Sequence, residues 1–281
     1  MKKFGLIGYP IAHSLSPALF GAGYDNRYPY ELIETPDFEQ AYERFLQDYD
    51  GINVTAPFKE LAYAKADILS DECRIIKATN LLVKTPEGIK AYNSDYLGVR
   101  MWLEEVARFS DPPQPQRTHK VLIVGLGGAG KAAAIAAASL GMDMILMNRN
   151  MDKALTVAQS IASMEDAPVA RVMPLDDFRK AFRESDIIIY NIPTAIAALE
   201  ELTDEDFCGL EYGPEKRGSK HILEANYKNP SFDKELIDRM IKANPRARYT
   251  HGQKWLLYQA VTGYEIFTGK RPDLDRMTAV L

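Results

Sequence analysis

Val121-Leu-Ile-Val-Gly-Leu-Gly-Gly-Ala-Gly130 decides the fold. Four apolar residues, Val121 to Val124, run straight into a glycine turn, and an alanine-rich run from Lys131 to Leu140 follows. That order is strand, turn, helix. Gly125, Gly127 and Gly130 match G-x-G-x-x-G: the first glycine permits the tight turn, the second lets backbone approach a pyrophosphate, and the third lets the helix pack on the strand. Gly128 and Ala129 complete the loop. The amides and the positive dipole end of the following helix would hold the phosphates. A second apolar strand, Met144 to Met147, begins one helix length later, as a dinucleotide-binding domain requires. The bland alternative is a glycine-rich structural turn in an unrelated α/β protein.

The second strand ends in Met147-Asn148-Arg149-Asn150. An NAD-specific domain usually carries Asp or Glu there, bonded to the ribose 2'-hydroxyl. No acid is present. Arg149 instead offers a planar cation suited to a 2'-phosphate, and Lys153 lies four residues on. The expected cofactor is NADP, against the alternative that Arg149 is a solvated arginine at a strand end.

Working outward, 281 residues are enough for two domains, and 46% hydrophobic with 26% charged residues is the composition of a folded globular protein. The formal net charge of -5 and the lack of any basic cluster beyond pairs such as Lys216-Arg217 argue against nucleic acid as a partner. The two cysteines, Cys73 and Cys208, form no metal-like spacing and fit a reducing compartment. Proline, histidine and serine interrupt the start before a signal-length apolar core forms, and no apolar run approaches the ~20 residues of a membrane span. A cytoplasmic protein without metal or membrane attachment is expected; the oligomeric state is left open.

From the N-terminus, Phe4 to Ile7, Tyr28 to Ile33 and Gly51 to Val54 read as strands, with helices from Pro17 and over Asp37 to Leu46 between them, so the chain opens β-α-β-α-β. Ser14 and Ser16 lie on the first loop, where two hydroxyls could bind a polyhydroxylated or carboxylate ligand. Ser16, just before Pro17, reads better as an N-cap. Asn53 and Thr55 stand at alternate positions at a strand end, beside Lys59 at the start of a short helix. Ala78 to Val83 and Gly88 to Tyr92 read as paired strands leading to Asn93-Ser-Asp95, where Asp95 is a candidate N-cap for a helix over about Tyr96 to Phe109. The polar, proline-rich Asp111 to Gln116 reads as a domain linker. Asp186 to Tyr190 and His221 to Glu224 are further strands, and a long helix follows Gly252.

Taken together, Ser14-Leu-Ser16-Pro17, Asn53-Val-Thr55-Ala-Pro-Phe-Lys59, Ala78-Thr-Asn80, Asn93-Ser-Asp95, the glycine turn, Asn148-Arg149, and Gly252 with Gln259 resemble the shikimate dehydrogenase family over nearly the whole chain. The resemblance implies an α/β fold of two domains. A substrate-binding α/β domain would span 1–110 and be completed by C-terminal helices from about 252 to 281, and a Rossmann-like NADP-binding domain would span 118–250. It further implies that Ser14, Ser16, Asn53, Thr55, Asn80, Tyr227 and Gln259 hydrogen-bond the carboxylate and hydroxyls of shikimate. Lys59 and Asp95 would be the catalytic pair. Gly125, Gly127, Gly128, Ala129, Gly130, Asn148, Arg149, Lys153 and Gly252 would hold NADP. The implied activity is reversible reduction of 3-dehydroshikimate to shikimate, in aromatic amino acid and chorismate synthesis. Rivals are a quinate or related cyclic hydroxy-acid dehydrogenase and a non-catalytic NADP-binding regulator. The chain departs from the family pattern at Leu81, Tyr96 and His251 and in the loop Asn191-Ile-Pro-Thr194.

Overall fold

Two six-stranded sheets carry the chain, one in each of two units. The computed structural model describes residues 1–109, 119–208 and 219–281. The expected linker Asp111 to Gln116 and the pair Lys216-Arg217 lie outside the described residues. One unit comprises Met1–Gly98 with Leu256–Leu281, the other Val99–Trp255.

The first unit runs β1 (Phe4–Gly8), α1 (Ser16–Tyr24), β2 (Tyr30–Glu34), α2 (Phe38–Asp48), β3 (Gly51–Val54), α3 (Lys59–Ala64), β4 (Ile68–Leu69), α4 (Asp71–Ile76), β5 (Leu81–Thr85), β6 (Gly88–Tyr92) and the first turn of α5 (Ser94–Phe109). Its sheet order is β2-β1-β3-β5-β6-β4, with β1 parallel to both β2 and β3 and β5 antiparallel to β3 and β6. Alternation along β1 divides the core. Ile7 joins Phe38, Phe45, Ile52, Val54, Phe58 and Leu82 on one side. Phe4 enters an aromatic cluster with Phe20 and Phe267 on the other, the Phe4 and Phe267 rings stacked at 4.8 Å.

Two strands begin later than their apolar pattern suggests. β5 starts at Leu81, not Ala78, because Thr79 turns its hydroxyl back on the backbone: Oγ1 donates to the Tyr92 carbonyl at 2.6 Å and accepts the Leu81 N–H at 3.2 Å. Such side-chain bonds compete with a regular ladder. β2 starts at Tyr30 instead of Tyr28.

The second unit runs on from α5 through β7 (Lys120–Val124), α6 (Gly128–Ser139), β8 (Asp143–Met147), α7 (Met151–Ala162), β9 (Ala170–Val172), α8 (Phe178–Glu184), β10 (Ile187–Tyr190), β11 (Lys220–Glu224), α9 (Lys234–Ala243), β12 (Ala247–His251) and the start of α10 (Gly252–Thr268); α11 (Leu274–Thr278) then ends the first unit. The sheet is wholly parallel in the order β12-β11-β10-β7-β8-β9, the doubly wound arrangement of a dinucleotide-binding domain. Leu122, Val124, Ile188, Tyr190 and Ile222 meet Phe178, Phe182, Phe207 and Met240 in one core cluster, so α8 and α9 cover the same face. The order reverses between β7 and β10, where the glycine turn stands.

Lys220 is fully buried at the start of β11. Its Nζ donates to the carbonyls of Phe182 at 2.6 Å and Ser185 at 2.8 Å, closing the C-terminal turn of α8, and sits 4.6 Å from the centre of the Phe182 ring. Burial pushes its pKa down from 10.5 to about 7, against the opposing pull of Asp186 and Asp206. A folded value below the unfolded one means that the unfolded chain holds more protons between pH 7 and 10.5, so this group makes the fold more stable as pH rises through that window. Each unit of displacement corresponds to about 1.4 kcal/mol. The melting temperature of the wild type should therefore climb relative to Lys220→Met between pH 7 and about 10, as followed by circular dichroism. A gap that stays constant across that range would show that Lys220 keeps its ordinary pKa.

Candidate active site

In the first unit, polar side chains from β3, the approach to β5, α1, α3, α5 and α10 come together. Lys59 opens α3 and Asp95 lies in the first turn of α5, with Nζ to Oδ2 at 2.5 Å. Their side chains are 29% and 13% exposed, so the pair is reachable from one side and sheltered on the other.

The helix start shows why Asp95 is available. The first N–H groups of any helix lack intrahelical acceptors. Here Asn93 Oδ1 accepts from Tyr96 N–H at 3.1 Å and Asn80 Oδ1 accepts from Ser94 N–H at 2.6 Å. Asn93, not Asp95, therefore makes the capping bond, and Asp95 holds Lys59. Asn93 is itself fixed by its amide on the Ala78 carbonyl at 3.2 Å.

The first loop also differs from its sequence reading. Ser16 is the first residue of α1 and not its N-cap; Leu15 takes that place, without a side-chain cap bond. Ser14 Oγ accepts Ser16 N–H at 3.2 Å and lies 3.1 Å from Ser16 Oγ. Both hydroxyls join a cluster that the sequence reading missed. Tyr30 donates to Asn53 Oδ1 at 2.8 Å, Tyr264 donates to the Ser16 carbonyl at 3.2 Å, and the two rings meet edge-on at 5.9 Å. Burial raises both phenol pKa values, for Tyr30 with a further push from Tyr264, so both remain neutral donors. Their rings are core-like and their hydroxyls polar, which a hydropathy pattern reads only as apolar positions.

Asn53 continues the run, its amide 3.4 Å from the Asn80 carbonyl. Thr55 follows β3, its N–H on the Ile7 carbonyl. Gln259 is held against α5 by a close crossing: a Cβ on Gly98 would stand 2.5 Å from the Gln259 nitrogen and 2.8 Å from its Cα. Only glycine lets α10 pass there. Tyr227 lies in the second unit, half-buried in the loop after β11.

The second unit holds the expected cofactor residues. Gly125 turns the chain at φ +87, and a Cβ on Gly130 would fall 1.9 Å from the Gly125 carbonyl oxygen, so both are dictated by the chain itself. Gly127 and Gly128 are different. No atom lies within 4 Å of a Cβ placed on either, so the chain leaves open space over the N-terminus of α6 where a pyrophosphate would approach. Ala129 is half-buried behind them. Asn148 is committed within the chain: Oδ1 accepts Leu126 N–H at 3.1 Å and the amide donates to the Asn150 carbonyl at 2.9 Å. Its role is to tie the end of β8 to the turn. Arg149 and Lys153 are exposed and meet no carboxylate among the described residues, leaving two free cations beside that turn. Gly252 is packed on backbone, where a Cβ would stand 2.4 Å from the Ala225 carbonyl oxygen and 2.6 Å from that of Glu224. The residues present fit a dinucleotide with a 2'-phosphate.

With this geometry in place, the sequence matches two family models, the shikimate dehydrogenase substrate binding domain over residues 6–82 and shikimate / quinate 5-dehydrogenase over residues 111–206. The chain is 28% identical over 284 residues to a shikimate dehydrogenase (NADP(+)) of Leptospira interrogans, covering 98% of this chain and 92% of that enzyme. Among solved structures it resembles the Mycobacterium tuberculosis shikimate dehydrogenase, with a TM-score of 0.77 and 27% identity over 100% of this chain and 98% of that one. It also resembles the Thermus thermophilus shikimate 5-dehydrogenase in complex with NADP(H) and shikimate, with a TM-score of 0.76 and 25% identity, again over 100% and 98% of the two chains.

The division of labour at the start of α5 can be measured. Asn93→Ala should lower stability by the ~1 kcal/mol of a lost cap, and Asp95→Asn should leave the thermal melt nearly unchanged. The opposite pattern would return the capping role to Asp95.

Proposed function

Since this chain belongs to the shikimate dehydrogenase family, we propose that it catalyses the reversible NADP-dependent reduction of 3-dehydroshikimate to shikimate, the aromatic amino acid branch of biosynthesis being its setting. The observation that carries this is the Lys59–Asp95 pair at 2.5 Å, set among neutral hydrogen-bonding groups. NADP, when bound, supplies the hydride that the C3 carbonyl carbon receives. The chain's own task is the proton. As charge builds on the C3 oxygen, a Lys59 ammonium held by Asp95 can donate to it, and in the reverse direction the pair withdraws the proton from the C3 hydroxyl.

Ser14, Ser16, Asn53, Thr55, Asn80, Tyr227 and Gln259 would bind the carboxylate and hydroxyls. Ser14 and Ser16, already paired, suit the carboxylate, and the Asn80 amide is free to donate because its oxygen is occupied by Ser94 N–H. In the second unit Gly125 to Gly130 would hold the pyrophosphate, Arg149 and Lys153 the 2'-phosphate, with Asn148 and Gly252 shaping their surroundings. A carbocyclic hydroxy acid such as quinate would use the same groups, and the same steady-state assay with both substrates separates the two readings.

Two outcomes follow. A charge-assisted hydrogen bond contributes about 1.5–3 kcal/mol, so Arg149→Ala should weaken NADP roughly ten- to hundredfold and barely affect NAD; equal losses for both cofactors would make Arg149 structural. A positioned general acid supplies about 10²–10⁴-fold, so Lys59→Ala should lower kcat by that factor while NADP still binds. Asp95→Asn should cost a comparable factor, and the double variant little more than the worse single, because groups that act as a unit are lost together. Losses that multiply in the double variant would sink the paired mechanism.

A further inference from the structure

A cavity of about 360 Å³ opens in the first unit, between the end of α1 and the connection from α10 to α11. That volume is in the range of small-molecule sites. Its charges are unevenly matched. Of four cations on its wall, Arg276 takes both acids, with Asp25 at 2.7 Å and Asp273 at 3.4 Å. Arg27, Lys270 and Arg271 are exposed and meet no carboxylate among the described residues. A chain of net charge -5 thus concentrates unpaired positive charge in one concave place.

The rest of the wall is aromatic. Tyr24 and Tyr28 stand edge to face, with ring centres 5.5 Å apart. The Tyr24 hydroxyl is consumed, donating to the Lys270 carbonyl at 2.8 Å and accepting from Thr268 at 2.8 Å. What these rings offer an occupant is therefore mainly flat apolar surface, beside guanidinium forks that match a carboxylate.

The Tyr24 ring is also the first member of a packed chain. It meets Phe20 at 5.0 Å, and Phe20 meets Tyr30 at 4.7 Å and Tyr264 at 4.8 Å, the two phenols of the hydroxyl cluster around Ser16 and Asn53. Thr268 and Lys270, which Tyr24 ties down, stand at the end of α10, the helix that carries Gln259 and Tyr264. Tyr24 is thus joined to that cluster by direct contact, both through packed rings and through the end of one helix.

We propose that this cavity is an effector site for a small aromatic or cyclic carboxylate, and that its occupancy changes substrate affinity through Tyr24, Phe20 and α10. The carboxylate pairs with Arg27 and Arg271 from opposite walls, Lys270 adds charge, and the ring lies against Tyr24 and Tyr28.

The probe is 4-hydroxybenzoate, titrated calorimetrically into the full chain, into Arg27→Ser/Arg271→Ser, and into Lys59→Met as the control in the other site. Binding on the order of millimolar or tighter is expected for the wild type and for Lys59→Met, with at least a tenfold loss in the arginine double variant. Lys270→Gln should give a second, smaller loss, and coincident thermal melts of the variants exclude misfolding. In kinetics, the probe should shift KM for shikimate in the wild type and not in the arginine double variant, whose activity without probe is unchanged. Equal binding by the wild type and the arginine variant, or loss of binding in Lys59→Met alone, overturns the site. Inorganic phosphate binding as tightly as the ring-bearing acid overturns the ligand class, and binding that leaves KM unmoved overturns the coupling. The calorimetric arms need no turnover, so their failure is separate from failure of the proposed reaction.

Discussion

A helix start must find acceptors for its first amides, and the site in the first unit depends on which side chains are given that work. Three polar residues in a row, Asn93, Ser94 and Asp95, could each have done it. Asn93 takes the Tyr96 amide, and Asn80 reaches from the neighbouring strand end to take that of Ser94. Asp95 then has its carboxylate turned to Lys59. A partly exposed ion pair contributes only about 0–1 kcal/mol, so the fold gains little from Lys59 and Asp95 being together. Two asparagine side chains carry the amides of the helix start, and the Asp95 carboxylate is left to Lys59.

The same separation of duties runs through the glycine turn. Gly125 and Gly130 are required by the chain, one by a left-handed φ and the other by contact with a carbonyl oxygen. Gly127 and Gly128 face nothing of the protein. The motif in the sequence marks all of them alike. Only the packing distinguishes the glycines that let α6 lie on β7 from those that leave room for another molecule.

Much of the architecture was legible because burial writes itself in one dimension. The continuous apolar runs of β7, β8 and β10 belong to a parallel sheet covered on both faces, and the periodicity after Gly252 belongs to one long helix. Of the polar residues, only Asn53 and Thr55 stand out as a pattern at a strand end; Lys59, Asp95, Ser14, Ser16 and Asn80 lie at helix starts, on a loop and just before β5, and are singled out by the family resemblance. Capping was not legible, since Ser16 against Leu15 and Asp95 against Asn93 turn on one and two residues of helix boundary, the least certain feature of a local pattern. Tyr30 and Tyr264 escaped for another reason. Their ring packing is set by Phe20, which lies far from Tyr264 in sequence, and no local spacing encodes it.

The positions that depart from the family pattern fall into two physical kinds. Leu81 is fully buried, its Cδ1 3.6 Å from a methyl placed on Gly263, and Tyr96 is 7% exposed and serves the cap through its backbone. Both are buried apolar or aromatic positions, Leu81 packed toward α10 and Tyr96 in the first turn of α5. His251 is otherwise. It pairs in register with Glu224, yet that carboxylate is already taken by the amides of Ser231 and Phe232 and by the Tyr249 hydroxyl at 2.7 Å. Nδ1 of His251 is left buried and unmet. An unsatisfied buried polar atom costs about 1–3 kcal/mol, and the second unit carries that cost at the C-terminal edge of its parallel sheet, the edge at which doubly wound sheets take their ligands.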